Sequence, residues 1–148
     1  MRFAEMAVGR IFVLKLETGE SLHETVEEFA RDNGIRNATL AAVGGVDKGS
    51  VMTVGPEYPN DGRIVPMLHV LDAPCELTAT GTLFSDEDGN PIMHMHGSAG
   101  REGKSVTGCL RSGMVAWLVL EVTVTEFIGD GATRKKDPRS GMKILQIG

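Results

Sequence analysis

The chain has 148 residues, with 20 Asp+Glu against 15 Lys+Arg and a formal net charge of −5 at pH 7. One domain, residues 1–148, is the expectation for this length; 41% hydrophobic and 24% charged residues exclude disordered and fibrous classes, and the acidic balance offers nucleic-acid phosphates no general attraction. The longest apolar run, residues 114–120, is far below the ~20 residues that span a bilayer, the N-terminus does not read as a signal peptide, and two cysteines suit a reducing, cytoplasmic setting better than a disulfide framework.

Residues 10–17 alternate weakly around Ile11, Val13 and Leu14 and meet the turn pair Thr18-Gly19, which predicts a first strand. A helix follows. Ser21 and Glu24 fit a capping box, Leu22, Val26, Phe29 and Ala30 recur at helical spacing, and Asn33-Gly34 supplies a stop. His23, in the first turn, is expected to face solvent. Strand-like runs then occupy 36–43, 46–54, 67–71, 75–84, 91–99, 104–110 and 114–127, with a Pro/Gly-rich loop over 55–62. Many short strands with one main amphipathic helix predict an α+β domain on an antiparallel sheet. The acidic turn at 86–89 lacks the ligand spacing of a calcium loop, Gly44-Gly45 lacks a phosphate-loop continuation, and no serine nucleophile elbow is present.

The stretch Pro91-Ile92-Met93-His94-Met95-His96 carries the clearest chemistry. Strand side chains alternate, so His94 and His96 share one face and the two methionines the other. Centring the next hairpin between Glu102 and Gly103 sets Cys109 opposite His96, close enough for two imidazoles and a thiolate to meet one zinc ion. The same arithmetic on the preceding hairpin, with a loop over 85–90, sets Gly81 opposite His94 and Ala79 opposite His96. Two readings stand here: a three-ligand site open for a fourth, with His69 or Glu76 as candidates to close it, or a polar sheet face beside a small buried cysteine. Residues 132–148 hold five basic side chains and one acidic; Arg134, Lys135, Lys136 and Arg139 are either a phosphate-contacting group or a solvated basic loop.

The sequence resembles the plants-and-prokaryotes conserved (PPC) domain family in its stand-alone prokaryotic form, without an AT-hook. The likeness is carried by Gly9-Arg10, by Leu16-Glu17-Thr18-Gly19-Glu20-Ser21-Leu22, by Ala42-Val43-Gly44-Gly45-Val46, and by Cys75-Glu76-Leu77-Thr78-Ala79-Thr80-Gly81-Thr82-Leu83. It continues through His94-Met95-His96, Thr107-Gly108-Cys109-Leu110, and Arg134, Asp137, Gly141 and Leu145. The resemblance implies an antiparallel α+β fold assembled as a homotrimer, a DNA-associated or regulatory role, and in some members metal at the H-x-H strand. Where those members carry Gly-Gly-His-Leu this chain has Thr107-Gly108-Cys109-Leu110, so the implied third ligand is a thiolate. A small metal-dependent enzyme using zinc-bound water is the alternative function.

Overall fold

The computed structural model describes residues 1–58, 64–138 and 140–148. In chain order it contains β1 (Ala7–Glu17), α1 (Leu22–Asp32), β2 (Asn37–Val46), β3 (Val51–Pro56), β4 (Pro66–Val70), β5 (Cys75–Ser85) and β6 (Pro91–Arg101). After these come β7 (Lys104–Leu110), β8 (Ala116–Ile128), β9 (Ala132–Lys136) and β10 (Lys143–Ile147). Eight strands form one antiparallel sheet in the order β1-β8-β2-β5-β6-β7-β3-β4, and β9 pairs with β10 separately. The α+β expectation is met: the fold is mostly antiparallel sheet with one short helix.

Alternation divides the large sheet into two faces. Inward-pointing Leu16, Leu40, Leu77, Met95, Leu110, Met52 and Val122 are buried together, and α1 closes over them with Leu22, Val26 and Ala30. Phe29 lies beside this cluster and meets Phe12 edge-to-face at 5.2 Å. The outward face carries a row running across every strand: Val13, Thr123, Ala41, Thr80, His96, Cys109, Thr53 and Leu68 are successive register partners. Threonines dominate the middle of this face, because a β-branched side chain with a hydroxyl suits a pleated surface not covered by the chain's own core.

The ends of α1 have different explanations. At its C-terminus, Gly34 adopts φ +66°, its N–H bonds Arg31 O, and the Ile35 N–H bonds Ala30 O at 2.8 Å, the paired bonds of a Schellman stop. At the N-terminus the predicted capping box does not form. Ser21 occupies the cap position without a side-chain hydrogen bond. Its backbone bridges to Val115, and the Leu22 N–H donates to Met114 O at 2.9 Å, so neighbouring chain does part of the work assigned to the hydroxyl.

Several boundaries also move. The runs at 36–43 and 46–54 are Asn37–Val46 and Val51–Pro56, because Gly44-Gly45 continues β2 between β5 and β8 and the chain turns afterwards, at 47–50. Of the basic segment, Arg134, Lys135 and Lys136 lie in β9, which pairs with β10 and is not a loop. Part of the Pro/Gly-rich loop, residues 59–62, lies outside the described residues.

Candidate metal centre

The β6–β7 hairpin fixes two of the three sulfur and nitrogen donors. Glu102 and Gly103 have φ values of +53° and +74°, the conformation of a two-residue type I′ turn, and glycine takes the second position without a Cβ penalty. The register that follows pairs Arg101 with Lys104 and His96 with Cys109. His94 stands two residues from His96 on the same face. Their Nε2 atoms are 3.1 Å apart, with ring centroids at 5.0 Å and planes at 84°. A tetrahedral zinc with nitrogen bonds of about 2.0–2.1 Å would hold two nitrogens about 3.3 Å apart, so the imidazole pair already has chelating separation.

Cys109 Sγ completes the group, and all three donor atoms lie within 4.8 Å of one another. Both histidines are exposed, whereas Cys109 is buried and unoxidised. Partial desolvation of its ring, assisted by the charges of Arg134, His96 and Arg111, holds the His94 pKa below the ordinary imidazole value. The neutral ring is the form that ligates metal. Among the described residues no further histidine, cysteine or carboxylate joins the three. His69 pairs with inward-facing Met52 and therefore belongs to the other face; Glu76 shares the outer face but pairs with Gly100, four residues along β6 from His96. Neither closes the site.

The preceding hairpin corrects the sequence register by one residue. Thr82, not Gly81, stands opposite His94, and Thr80, not Ala79, opposite His96. The loop is five residues long because Ser85 pairs with Pro91 and Asp86 organises the turn: its N–H bonds Asn90 O, and its carboxylate accepts the N–H groups of Asp88 and Asn90. Threonines therefore flank the imidazoles, while Gly81 opposes Met95 on the inward face.

Two adjoining hollows meet at His94. One, of about 720 Å³, exposes His96 and Cys109 between β7, β3 and the 64–68 segment. The other, of about 420 Å³, runs from His94 to the β9–β10 pair and is bordered by Arg134, Arg111 and Lys143. The four basic residues singled out in the tail are dispersed. Arg134 turns inward and is 4% exposed, Lys135 lies 3.5 Å from Glu87 at the surface, Lys136 is exposed, and Arg139 lies outside the described residues.

Three neighbours of the site escaped the sequence reading. His23 is not solvent-facing: its Nδ1 is buried with no hydrogen-bond partner among the described residues, and burial, then Arg111 and His94, lowers its pKa to about 4. Glu27, one turn further on, accepts the Met93 N–H at 2.8 Å where β6 extends past β7. The i, i+4 spacing of His23 and Glu27 is the signal that both lean toward one strand edge. Arg111 follows β7 directly and borders both hollows.

Residues 3–128 match the Plants and Prokaryotes Conserved (PCC) domain. The fold is similar to that of the metal-containing protein AF0104 from Archaeoglobus fulgidus, at 28% identity and TM-score 0.81 over 97% of this chain and 98% of that one. A PPC protein from Pyrococcus horikoshii shares 24% identity at TM-score 0.82 over 99% and 97% of the two chains. A protein from Ralstonia eutropha JMP134, provisionally described as DNA-binding, shares 25% identity at TM-score 0.72 over 92% and 90%. No curated protein matches significantly. On the extent of the domain match, and with a fold shared along nearly its whole length, the chain belongs to the Plants and Prokaryotes Conserved domain family.

Proposed function

We propose that the protein binds a divalent transition metal, zinc by preference, through His94, His96 and Cys109, and that it works as a cytoplasmic homotrimer in a DNA-associated or other regulatory role. The convergence of two imidazoles and a buried thiol, with no carboxylate among them, carries this reading. Imidazole and thiolate together favour zinc over calcium or magnesium, which prefer oxygen. The similarity to a metal-containing archaeal protein supports it. Three protein donors leave a tetrahedral ion one position for water or a ligand, and a zinc-bound water would supply a nucleophile at neutral pH. That chemistry is the basis of the enzymatic alternative; a thiolate ligand weakens it by donating more charge than a third histidine.

Association of like subunits has support in the exposed apolar side chains at both sheet edges: Ile11 and Val13 on β1, and Leu68 and Val70 on β4. Equilibrium sedimentation is expected to give three times the 15.8 kDa chain mass; a monomer would contradict the assembly. DNA association is suggested by the description of the Ralstonia protein. If it extends to this chain, duplex binding will weaken steeply with salt; no binding at ~50 mM salt would dismiss it. For the metal, elemental analysis of protein purified without chelator is expected to show about one transition-metal equivalent per chain. Less than about a tenth of an equivalent would overturn the proposal.

A further inference from the structure

Arg134 is a buried cation whose charge no carboxylate among the described residues answers. Its side chain is almost fully enclosed, yet its two hydrogen bonds go to uncharged acceptors: Nε donates to Ile92 O at 3.2 Å and Nη2 to Thr82 Oγ1 at 3.1 Å. Among the described residues it has no carboxylate within ion-pairing distance. A guanidinium carries five N–H donors, so three are left over, shared between Nη1 and Nη2. A largely buried charge without a counter-charge is a costly arrangement, which an anion bound at the free donors would relieve.

The surroundings point to what that is. Arg134 borders the hollow of about 420 Å³ that begins at His94, and among the described residues no Asp or Glu lines it. Lys143, on the same wall, is engaged by Asp86. Arg111, opposite, has one side-chain hydrogen bond among the described residues, to the Met142 sulfur at 3.7 Å, and likewise no carboxylate partner among them. The rest of the lining is largely apolar, with Ile92, Ile144 and Leu145. Two unpaired guanidinium groups over an apolar floor suit a ligand with an anionic head and a short hydrocarbon body. The two Nη nitrogens of one guanidinium match the two oxygens of a carboxylate in a planar fork.

We propose that this hollow binds a small organic carboxylate, its head held by Arg134 with help from Arg111 and its body lying along the apolar wall toward His94. This names the ligand class of the site proposed above and rests on that reading only for the further step, in which a second polar group of the ligand reaches the open metal position. Thr82 links the two halves, since it accepts from Arg134 and stands opposite His94 in the register.

The test is a calorimetric or NMR titration with butyrate in a chloride-free buffer, with 1-butanol and inorganic phosphate as comparison probes. Saturable butyrate binding is expected, with none by butanol. Arg134→Gln, or Arg134→Lys should the first fail to fold, is expected to weaken butyrate at least about tenfold, and Arg111→Gln to weaken it less. Absence of saturable butyrate binding, equal binding by butanol, phosphate binding tighter than butyrate, or an unchanged affinity in a folded Arg134 variant would each overturn the proposal. Cys109→Ser separates the two readings: it is expected to lose metal by elemental analysis while retaining butyrate binding. Metal-free but butyrate-competent wild-type protein would sink the metal centre alone, and metal-loaded protein blind to butyrate would sink the carboxylate site alone.

Discussion

Cys109 is the residue on which the chemistry of the proposed centre turns. It is buried on a face where its cross-strand neighbour His96 is exposed, so its thiol can approach an ion held by the imidazoles while being shielded from oxidants. Cobalt loaded in place of zinc should therefore show a thiolate-to-metal charge-transfer band in the ultraviolet. In Cys109→His that band is expected to vanish while about one cobalt per chain is retained, whereas Cys109→Ala should weaken cobalt binding by at least about tenfold. An unchanged spectrum in either variant would remove the thiol from the site. The same residue was legible in the sequence because a two-residue turn leaves no freedom in counting back from Glu102-Gly103 to the pair His96–Cys109. Arg134 is marked in the sequence as a possible anion contact but its direction is not, since only the docking of β9 beside the β5–β6 turn decides that it points inward while Lys135 is exposed.

Among the elements, the β6–β7–β3 segment positions the donors, and Gly108 is its tightest point. A Cβ there would stand 2.4 Å from Thr53 O on β3, a backbone atom that cannot swing aside. Gly108→Ala is expected to push β3 away from β7, lower stability by roughly 1–3 kcal/mol, and reduce metal affinity through displacement of Cys109. Thermal melts and a zinc competition assay check both, and an unperturbed melt would mean that β3 yields freely. The helix and the strand sequence were readable from periodicity and stop signals. Misread were the β5–β6 register and the α1 cap: the Asp86 carboxylate gathers its own turn and shortens the loop by a residue, and Met114, distant in sequence, receives the first helical N–H. His23 was assigned to solvent because a helix turn says nothing of the open strand edge that it meets.

Across the whole molecule, a few buried ionisable groups tie separate parts together and set the response to pH. The carboxylate of Asp86 receives Lys143 as well as its own turn, so it fastens β10 to the β5–β6 hairpin, and Lys143 holds its pKa down to about 2. Glu126, buried on β8 and paired with Arg10 on β1 at 2.7 Å, is likewise lowered by that arginine. Their stabilisation is present above the ordinary carboxylate range and is lost as pH falls through the lowered folded values. His23 acts in a higher window: the unfolded chain takes up its proton near 6.5 and the folded chain only near 4, so stability falls as pH drops between them. Chelator-treated protein should therefore lose thermal stability in two stages, between about pH 6.5 and 4 and again from about 4 toward 2. His23→Leu is expected to shrink the first stage, to which His94 also contributes, and Asp86→Asn the second, which Glu126 shares; variants that follow the parent curve throughout would refute these assignments.

The proposed centre is one ion held by three side chains of the outer sheet face. Crystals of protein purified without chelator, measured on both sides of the zinc absorption edge, test it directly. A single anomalous peak is expected about 2.0–2.1 Å from an imidazole nitrogen of His94 and of His96 and about 2.3 Å from Cys109 Sγ, with one non-protein ligand completing the tetrahedron. An ordered site without a peak, or a peak that leaves Cys109 uncoordinated, would contradict it.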